Sequence, residues 1–415
     1  MFRISSLRTL GAAALALLPC AHAAETERPL SLDDAVALSV ANQPLLDAQA
    51  AAARSARASA IADAQLPDPK LVGGVTDLPI AGADGYTLRD GNTQLMVGLS
   101  QAFPRGATRA LKGERGRAEA EMLEADRDMR EREIARDAAL AWLDAWKAER
   151  ATEIALDAAH ESDLQLQATE ISYAAGRSTQ ADVLAMRVAL AAARDEADDF
   201  AQQAQHGRSE LSRWIGDSAL RPIARDLPDW GAPAPYVAAV ALVHDHPHLR
   251  SQSRQLDLAR AEVDLARQGY RPEIDVSVGY GYRRDFADYA SLTVGIDLPF
   301  FTGQRQDRML ASKLADEERA EKLLDDAVRE HAAQLRLNSA DWLLLQSRLE
   351  RYGKEIVPQG QQRVEATLAA WRSGAGTLAG VLDARRMLLE TRLKQLDLQL
   401  DAAKHRVKLR YLAGA

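Results

Sequence analysis

The sequence predicts a mainly α-helical protein with a small β part, built from two copies of one unit in which a strand hairpin is followed by a long helix. Hydrophobic residues make up 47% of the 415 residues but aromatic residues only 5%, and alanine supplies much of the apolar count. Small side chains favour long helices packed side by side over one large core. An internal repeat predicts the two copies, and several segments in which apolar and polar residues alternate predict the strands.

Residues 1–23 have the features of a secretory signal peptide: arginines, a short apolar run and a small-residue cleavage site ending at Ala23. Cys20 offers the alternative of a lipoprotein anchor, but the preceding Pro19 fits that signal poorly. We therefore expect the mature chain to begin at Ala24 and to be exported to the cell envelope.

Charge and cysteine content exclude several classes of protein. The net charge is −8 and no basic stripe is visible, which argues against nucleic-acid binding. A single cysteine excludes a disulfide framework and CxxC sites. No nucleophile triad, phosphate loop or HExxH motif occurs, so we expect no enzymatic activity and no cofactor.

The second half of the chain repeats the order of motifs of the first half. We assign 24–225 to the first repeat, 226–235 to a linker rich in proline, and 236–415 to the second repeat. The matched segments are Gln43-Pro44 with His246-Pro247, Pro69 with Pro272, Phe103–Gly106 with Phe300–Gly303, Tyr173–Gly176 with Trp371–Gly374, and Arg213-Trp214 with Arg410-Tyr411.

Each repeat contains one very long helix. Residues 107–173 lack proline and could form a rod of roughly 100 Å, since an α-helix rises about 1.5 Å per residue. Two shorter helices, 44–66 and 178–215, together match that length. The second repeat predicts the same set over 247–269, 304–373 and 377–412, with a bend in the long helix from Gly353, Pro358 and Gly360.

Four segments alternate apolar and polar residues, as strands with one apolar face do. They are 70–78, 93–103, 274–282 and 291–298, and aromatic residues lie near their ends. One interpretation is a soluble sheet packed on helices. We favour membrane-spanning strands, because the length suits a bilayer and aromatic residues suit its interfaces.

Four strands cannot close a barrel, and an open sheet edge in lipid leaves backbone groups unpaired. Several chains must therefore share one barrel. Two chains would give eight strands and a filled interior, whereas three would give twelve strands and a lumen. Because one face of these strands is small and polar, we expect an open pore and a homotrimer.

This combination of features resembles the TolC-type outer-membrane efflux factors over essentially the whole mature chain. The resemblance is carried by the duplicated plan, by the Asn42-Gln43-Pro44-Leu45 opening, and by the helical tips Tyr173–Leu184 and Trp371–Asp383. The segments Leu66–Leu71 and Asp77-Leu78-Pro79 look more like the heavy-metal branch, which serves copper–silver and cobalt–zinc–cadmium exporters.

The resemblance implies a trimeric, twelve-stranded β-barrel in the outer membrane, continued by an α-helical barrel across the periplasm. It also implies a periplasmic adaptor and an inner-membrane pump, often of the resistance–nodulation–division type, which supplies the energy. The duct itself is passive, and heavy-metal cations are the expected cargo. Alternatives are a drug-efflux or type I secretion duct of the same fold, and a soluble periplasmic helical scaffold.

Two sets of candidate site residues follow from the tips. The glycines suit helix ends that need positive φ, and the resemblance adds adaptor docking. It also implies a periplasmic gate formed by acidic residues at Asp383 and Asp182, although Gly380 replaces a further acid found in some relatives, and Asp182 also suits a helix cap. The docking candidates are Gly176, Arg177, Ser178, Gly374, Ala375 and Gly376.

Three histidines, His244, His246 and His248, raise the hypothesis of a metal site or a periplasmic metal-binding protein. The first repeat has a helix junction without histidine at the equivalent place, and proline restricts how these side chains converge. We therefore expect a structural role and no metal site.

Overall fold

The computed structural model describes residues 28–41, 43–241 and 245–413. The signal-peptide prediction, Cys20 and His244 lie outside these residues. The described chain is mainly helical with one four-stranded sheet, which confirms the predicted class of fold.

The elements follow each other in the predicted order. The helices are α1 (Leu32–Ala41), α2 (Pro44–Asp63), α3 (Thr108–Ala174), α4 (Gln180–Ile215), α5 (Tyr236–Ala241), α6 (Pro247–Arg267), α7 (Gln306–Arg351), α8 (Val357–Arg372) and α9 (Leu378–Leu412). The strands are β1 (Lys70–Thr76), β2 (Gln94–Phe103), β3 (Glu273–Arg283) and β4 (Tyr289–Asp297).

Helix α3 is the predicted long rod. It has 67 residues, or about 100 Å, and packs against both α2 and α4. Small residues allow this close approach: a Cβ built on Gly116 would lie 2.6 Å from the Cβ of Ala60, and one on Gly207 would lie 2.9 Å from the Cα of Ala145. The buried side of α3 is largely alanine, as the composition indicates.

The long helix of the second repeat is irregular, as predicted, but it does not break. Helices α7 and α8 are joined by a π-helical segment, Tyr352–Ile356, which contains Gly353. Pro358 lies in the first turn of α8, directly after the π-helical segment. The expected bend is therefore one widened turn.

The sheet is antiparallel in the order β1-β2-β3-β4, so the two repeats contribute one hairpin each. Strands β2 and β3 join the hairpins through ten residue pairs, from Gln94 opposite Arg283 to Phe103 opposite Ile274. Strands β1 and β4 are the two edges.

The main core lies near the middle of the helical part. Trp142 and Leu143 of α3 are fully buried there with Leu30 and Leu211. The Trp142 Nε1 donates to the carbonyl of Leu30 over 3.1 Å, and the segment around Leu30 forms a parallel bridge with Ile223. This cluster fastens the start of the first repeat to its end.

Candidate channel surface and helical tips

The sheet has one apolar face and one polar face. The apolar set aligns across all four strands: Leu71 pairs with Leu99, Leu99 with Val278, and Val278 with Leu292. These side chains are exposed, Leu71 by 78% and Leu292 by 70%. Exposed apolar area of this extent is characteristic of a surface that meets lipid or another protein.

The opposite face is small and polar. The Ser277 Oγ donates to the Ser100 Oγ over 2.9 Å, and Thr76 and Tyr289 both contact the side chain of Gln94. Tyr289 lies against Gly281, since a Cβ there would be 2.2 Å from the tyrosine ring. Glycines and short polar residues on this face leave space that larger side chains would fill.

The first tip joins α3 to α4. Gly176 has φ +70°, and the Arg177 N–H donates to the carbonyl of Ser172 over 2.8 Å, which closes the end of α3. Arg177 is exposed, and Ser178 precedes the helix cap Thr179. A backbone with positive φ is rare for residues other than glycine, so the tip needs Gly176 for its shape.

The second tip joins α8 to α9 with the same geometry. Gly374 has φ +79°, and the N–H groups of Ala375 and Gly376 both donate to the carbonyl of Ala370. All three residues are exposed, and no atom lies within 4 Å of a Cβ built on Gly374. The predicted docking residues thus form two small loops whose turns are closed by backbone hydrogen bonds, and all of them except the half-buried Ser178 are exposed.

The two candidate gate residues have different surroundings. Asp182 completes a capping box: its carboxylate accepts from the Thr179 N–H over 2.9 Å, and its own N–H donates to the Thr179 hydroxyl. Asp383 lies on α9, where its carboxylate accepts from Arg363 of α8 over 3.1 Å. Thr377 caps α9 without an acidic partner, because Gly380 stands at the equivalent place.

His246 makes structural contacts at the start of α6, and one of its neighbours is a residue that the sequence analysis missed. His246 caps α6, where its Nδ1 accepts from the His248 N–H, while its Nε2 donates to the carbonyl of Tyr411 over 3.0 Å. His331 of α7 donates in the same way to Leu412, and the two buried rings are 4.3 Å apart. The repeat gave no signal for His331.

Burial, and to a smaller extent the neighbouring His331, lower the pKa of His246 from 6.5 to about 4. The pKa of His331 is also lowered, mainly by burial. Both rings are therefore neutral near pH 7, which agrees with the hydrogen bonds that they make. Among residues 28–41, 43–241 and 245–413, no group of three or more His, Cys, Asp or Glu side chains has a geometry suited to a metal ion.

The described helices include none that combines the length and apolar character needed to cross a membrane. Residues 240–415, almost all of the predicted second repeat, match the family model of the outer membrane efflux proteins. Over these residues the chain is similar to that family. No curated protein sequence matches it significantly.

Solved structures extend the likeness to almost the whole chain. CusC, described as forming a transmembrane channel, superimposes with a TM-score of 0.80 at 16% identity, over 93% of this chain and 92% of CusC. The outer membrane protein VceC from Vibrio cholerae gives 0.76 at 19% identity, over 92% and 96%. The MtrE outer membrane channel of Neisseria gonorrhoeae, in its open state, gives 0.72 at 18% identity, over 92% and 89%.

At these identities the structural likeness establishes the fold alone. That fold is the one predicted from the repeat, with a strand hairpin and a long helical hairpin in each half. The matched family consists of outer membrane efflux proteins, and the prediction that this chain is not an enzyme agrees with that match.

Proposed function

We propose that the protein is the outer-membrane exit duct of a tripartite efflux system. The observation that carries this proposal is the sheet, which has an exposed apolar face, a small polar face and two unpaired edges. Such a sheet satisfies its backbone in lipid only as part of a closed barrel. Three chains supply twelve strands, enough to enclose a lumen.

The long helices supply the second part of the duct. Helix α3 extends about 100 Å away from the sheet, and the combined length of α7 and α8 is similar. Three chains side by side form a helical tunnel that crosses the periplasm. The protein therefore resides in the outer membrane through its sheet and in the periplasm through its helices.

The tips are the surface for the periplasmic adaptor. They lie at the end of the rods opposite the sheet, are exposed, and have backbones fixed by Gly176 and Gly374. Rigid loops cost little ordering entropy on binding. The adaptor links the duct to an inner-membrane pump of the resistance–nodulation–division type, because a passive duct needs an external source of energy.

Asp383 and Asp182 are the gate candidates, and their contacts separate them. Asp182 is engaged in a helix cap. Asp383 forms a half-exposed ion pair with Arg363 that links two neighbouring helices near the tip. We place the gate at Asp383, because an exposed pair of this kind exchanges partners at little cost.

Heavy-metal cations are the proposed cargo. The sequence segments Leu66–Leu71 and Asp77–Pro79 support this choice, as does Asp275, which lies on the polar face of the sheet. This acidic side chain favours the entry of cations over anions.

Expression in a bacterial strain that lacks its own exit ducts tests the proposal. Together with a cognate metal pump and adaptor, the protein should restore growth in zinc, cadmium or copper and lower the metal content of the cells. The variant Gly374→Val serves as the matched control. Restored resistance to drugs without any change in metal content would transfer the proposal to the drug-efflux alternative, and a protein found only in the soluble fraction would refute the duct.

A further inference from the structure

The two edges of the sheet carry opposite charges at the same end. Lys70 begins β1, and Asp297 ends β4. Because β1 and β4 run in opposite directions, the start of β1 and the end of β4 lie at the end of the sheet that joins the helices. In the described residues neither side chain forms an ion pair.

Both side chains belong to the polar face. Lys70 lies on the same face of β1 as Thr76, six positions later. The Thr76 hydroxyl donates to the side chain of Gln94, and Tyr289 contacts the same glutamine. Asp297 lies on the same face of β4 as Tyr289, eight positions earlier. Successive strand residues point to opposite faces, so residues an even number of positions apart share one.

The environment of Asp297 within its own chain is unfavourable. It lies directly opposite Glu273, and Asp275 is the next residue on that face of β3. Like charges directly opposite each other destabilise a strand pair. Glu273 has a cationic partner in Arg105 at 3.1 Å, but this arginine does not pair with Asp297. A cation from outside the chain would remove the repulsion.

Barrel geometry selects the register in which a second chain supplies that cation. Residues in line across the sheet are Lys70, Ser100, Ser277 and Thr293. If Lys70 of the next chain lies opposite Asp297, then Gly74 of that next chain lies opposite Thr293. Since Thr293 is in line with Lys70 of its own chain, neighbouring chains are displaced by four residues along the strands. For twelve strands this stagger tilts the strands by about 35°, within the usual range of about 35–45°.

The neighbouring registers are less favourable. A shift of two residues one way lowers the tilt to about 20°, below the range seen in such barrels. A shift of two residues the other way moves Lys70 beyond the end of β4 and leaves part of β1 unpaired. Any odd shift would place polar side chains on the apolar face.

We propose that β1 of one chain pairs with β4 of the next copy so that Lys70 and Asp297 form an ion pair across each subunit boundary, on the lumen side of the barrel. This inference rests on the proposed trimeric duct and adds its assembly contact. Three such pairs fix the register of the three seams and neutralise the acidic residue that one chain leaves opposed by Glu273.

Disulfide trapping tests the contact. In a Cys20→Ser background, the variant Lys70→Cys/Asp297→Cys contains only the two introduced thiols. Mild oxidation of the purified protein should convert most chains to covalent dimers and trimers on a denaturing, non-reducing gel. Each single variant, and Leu71→Cys/Asp297→Cys with one thiol on the apolar face, should stay monomeric on that gel.

If the double variant is trimeric by detergent-corrected light scattering but is not cross-linked, the proposed contact is wrong while the duct stands. If the wild-type protein is not trimeric, the proposed function itself fails. These two failures are therefore distinguishable.

Charge reversal provides an independent measurement. Lys70→Glu alone should lower the temperature at which the trimer dissociates, by roughly 2–4 °C. Asp297→Lys alone also relieves the repulsion from Glu273 within the chain, so it should lower that temperature less. The double reversal Lys70→Glu/Asp297→Lys should restore most of the loss caused by Lys70→Glu, because the pair is re-formed with its signs exchanged. Equal dissociation temperatures for the double reversal and for Lys70→Glu would overturn the ion pair.

Discussion

The rings of His246 and His331 lie 4.3 Å apart, and each donates a hydrogen bond to a backbone carbonyl at the end of α9. Protonation of His246 would break a hydrogen bond, because its Nδ1 accepts from the His248 N–H. Protonation would place a second donor against that donor and a positive charge beside His331 and Arg132. The junction between α6, α7 and α9 is therefore sensitive to acid.

Stability should fall as the pH falls from about 6.5 to about 4. In that range the unfolded chain binds a proton at His246 that the folded chain does not, since the folded pKa is lowered to about 4. A shift of this size corresponds to about 3 kcal/mol of unfolding free energy. Thermal unfolding in detergent between pH 8 and pH 4 measures it.

The first repeat supplies the control for this prediction. Gln43, at the position of His246, directs its Nε2 to the carbonyl of Trp214. His246→Gln should keep the hydrogen bond to the carbonyl of Tyr411 and make unfolding less dependent on pH. His206→Gln, at an exposed site on α4, should leave the pH profile unchanged. An unaltered profile in His246→Gln would contradict the assignment.

Asp383 and Arg363 should move ion selectivity in opposite directions. Asp383→Ala removes a carboxylate near the tip, so the preference for potassium over chloride and the block by trivalent cations should weaken. Arg363→Ala frees the same carboxylate and should strengthen both. Reversal potentials in planar bilayers measure the change.

Asp182→Ala is the comparison for Asp383. It should cost about 1 kcal/mol of helix stability through the lost capping box and leave selectivity unchanged. If Asp383→Ala behaved in the same way as Asp182→Ala, Asp383 would have no part in the gate.

Substitution of valine at Gly176 or Gly374 should impair efflux more than assembly. Both glycines have positive φ and open space around them, so valine adds backbone strain of about 1–3 kcal/mol without a clash. The tip should change shape while the rods and sheet stay folded. Metal resistance and trimer yield are the two readouts.

Gly380 provides the control at the second tip. It lies in the first turn of α9 without positive φ, and the nearest atom to an added Cβ is 3.5 Å away. Gly380→Ala should therefore retain efflux. Full efflux in Gly176→Val and Gly374→Val as well would argue against docking at these loops.

Trp142→Ala should be strongly destabilising, by about 3–5 kcal/mol, because it opens a cavity in the main core. Trp142→Phe should cost less, since it removes chiefly the hydrogen bond to Leu30. Denaturant unfolding followed by circular dichroism checks both. Tyr173→Ala, at an exposed site near the first tip, should have little effect on stability.

The sequence predicted the order, type and approximate limits of the helices and strands, because proline positions, period-two alternation and the repeat are local signals. The roles of single side chains were less predictable. Nothing local indicates that His331 meets His246, or that Arg363 meets Asp383, since each contact joins separate helices. The pairing of Asp297 with Glu273 depends on the strand register. The alternation of apolar and polar residues does not distinguish registers that differ by two residues.

The π-helical turn at Tyr352–Ile356 explains an irregularity in the spacing of the repeat. Gly106 and Gly303 are 197 positions apart, whereas Gly176 and Gly374 are 198 apart. The second long helix has thus gained one residue, and a π turn is how a helix accommodates a single insertion. Because a π turn holds one residue more than an α turn, the insertion is absorbed there, and the direction in which α8 presents its side chains changes little. In a trimer, the six tips would therefore end at nearly the same level and present similar loops, giving the rim approximate sixfold symmetry in spite of the unequal repeats.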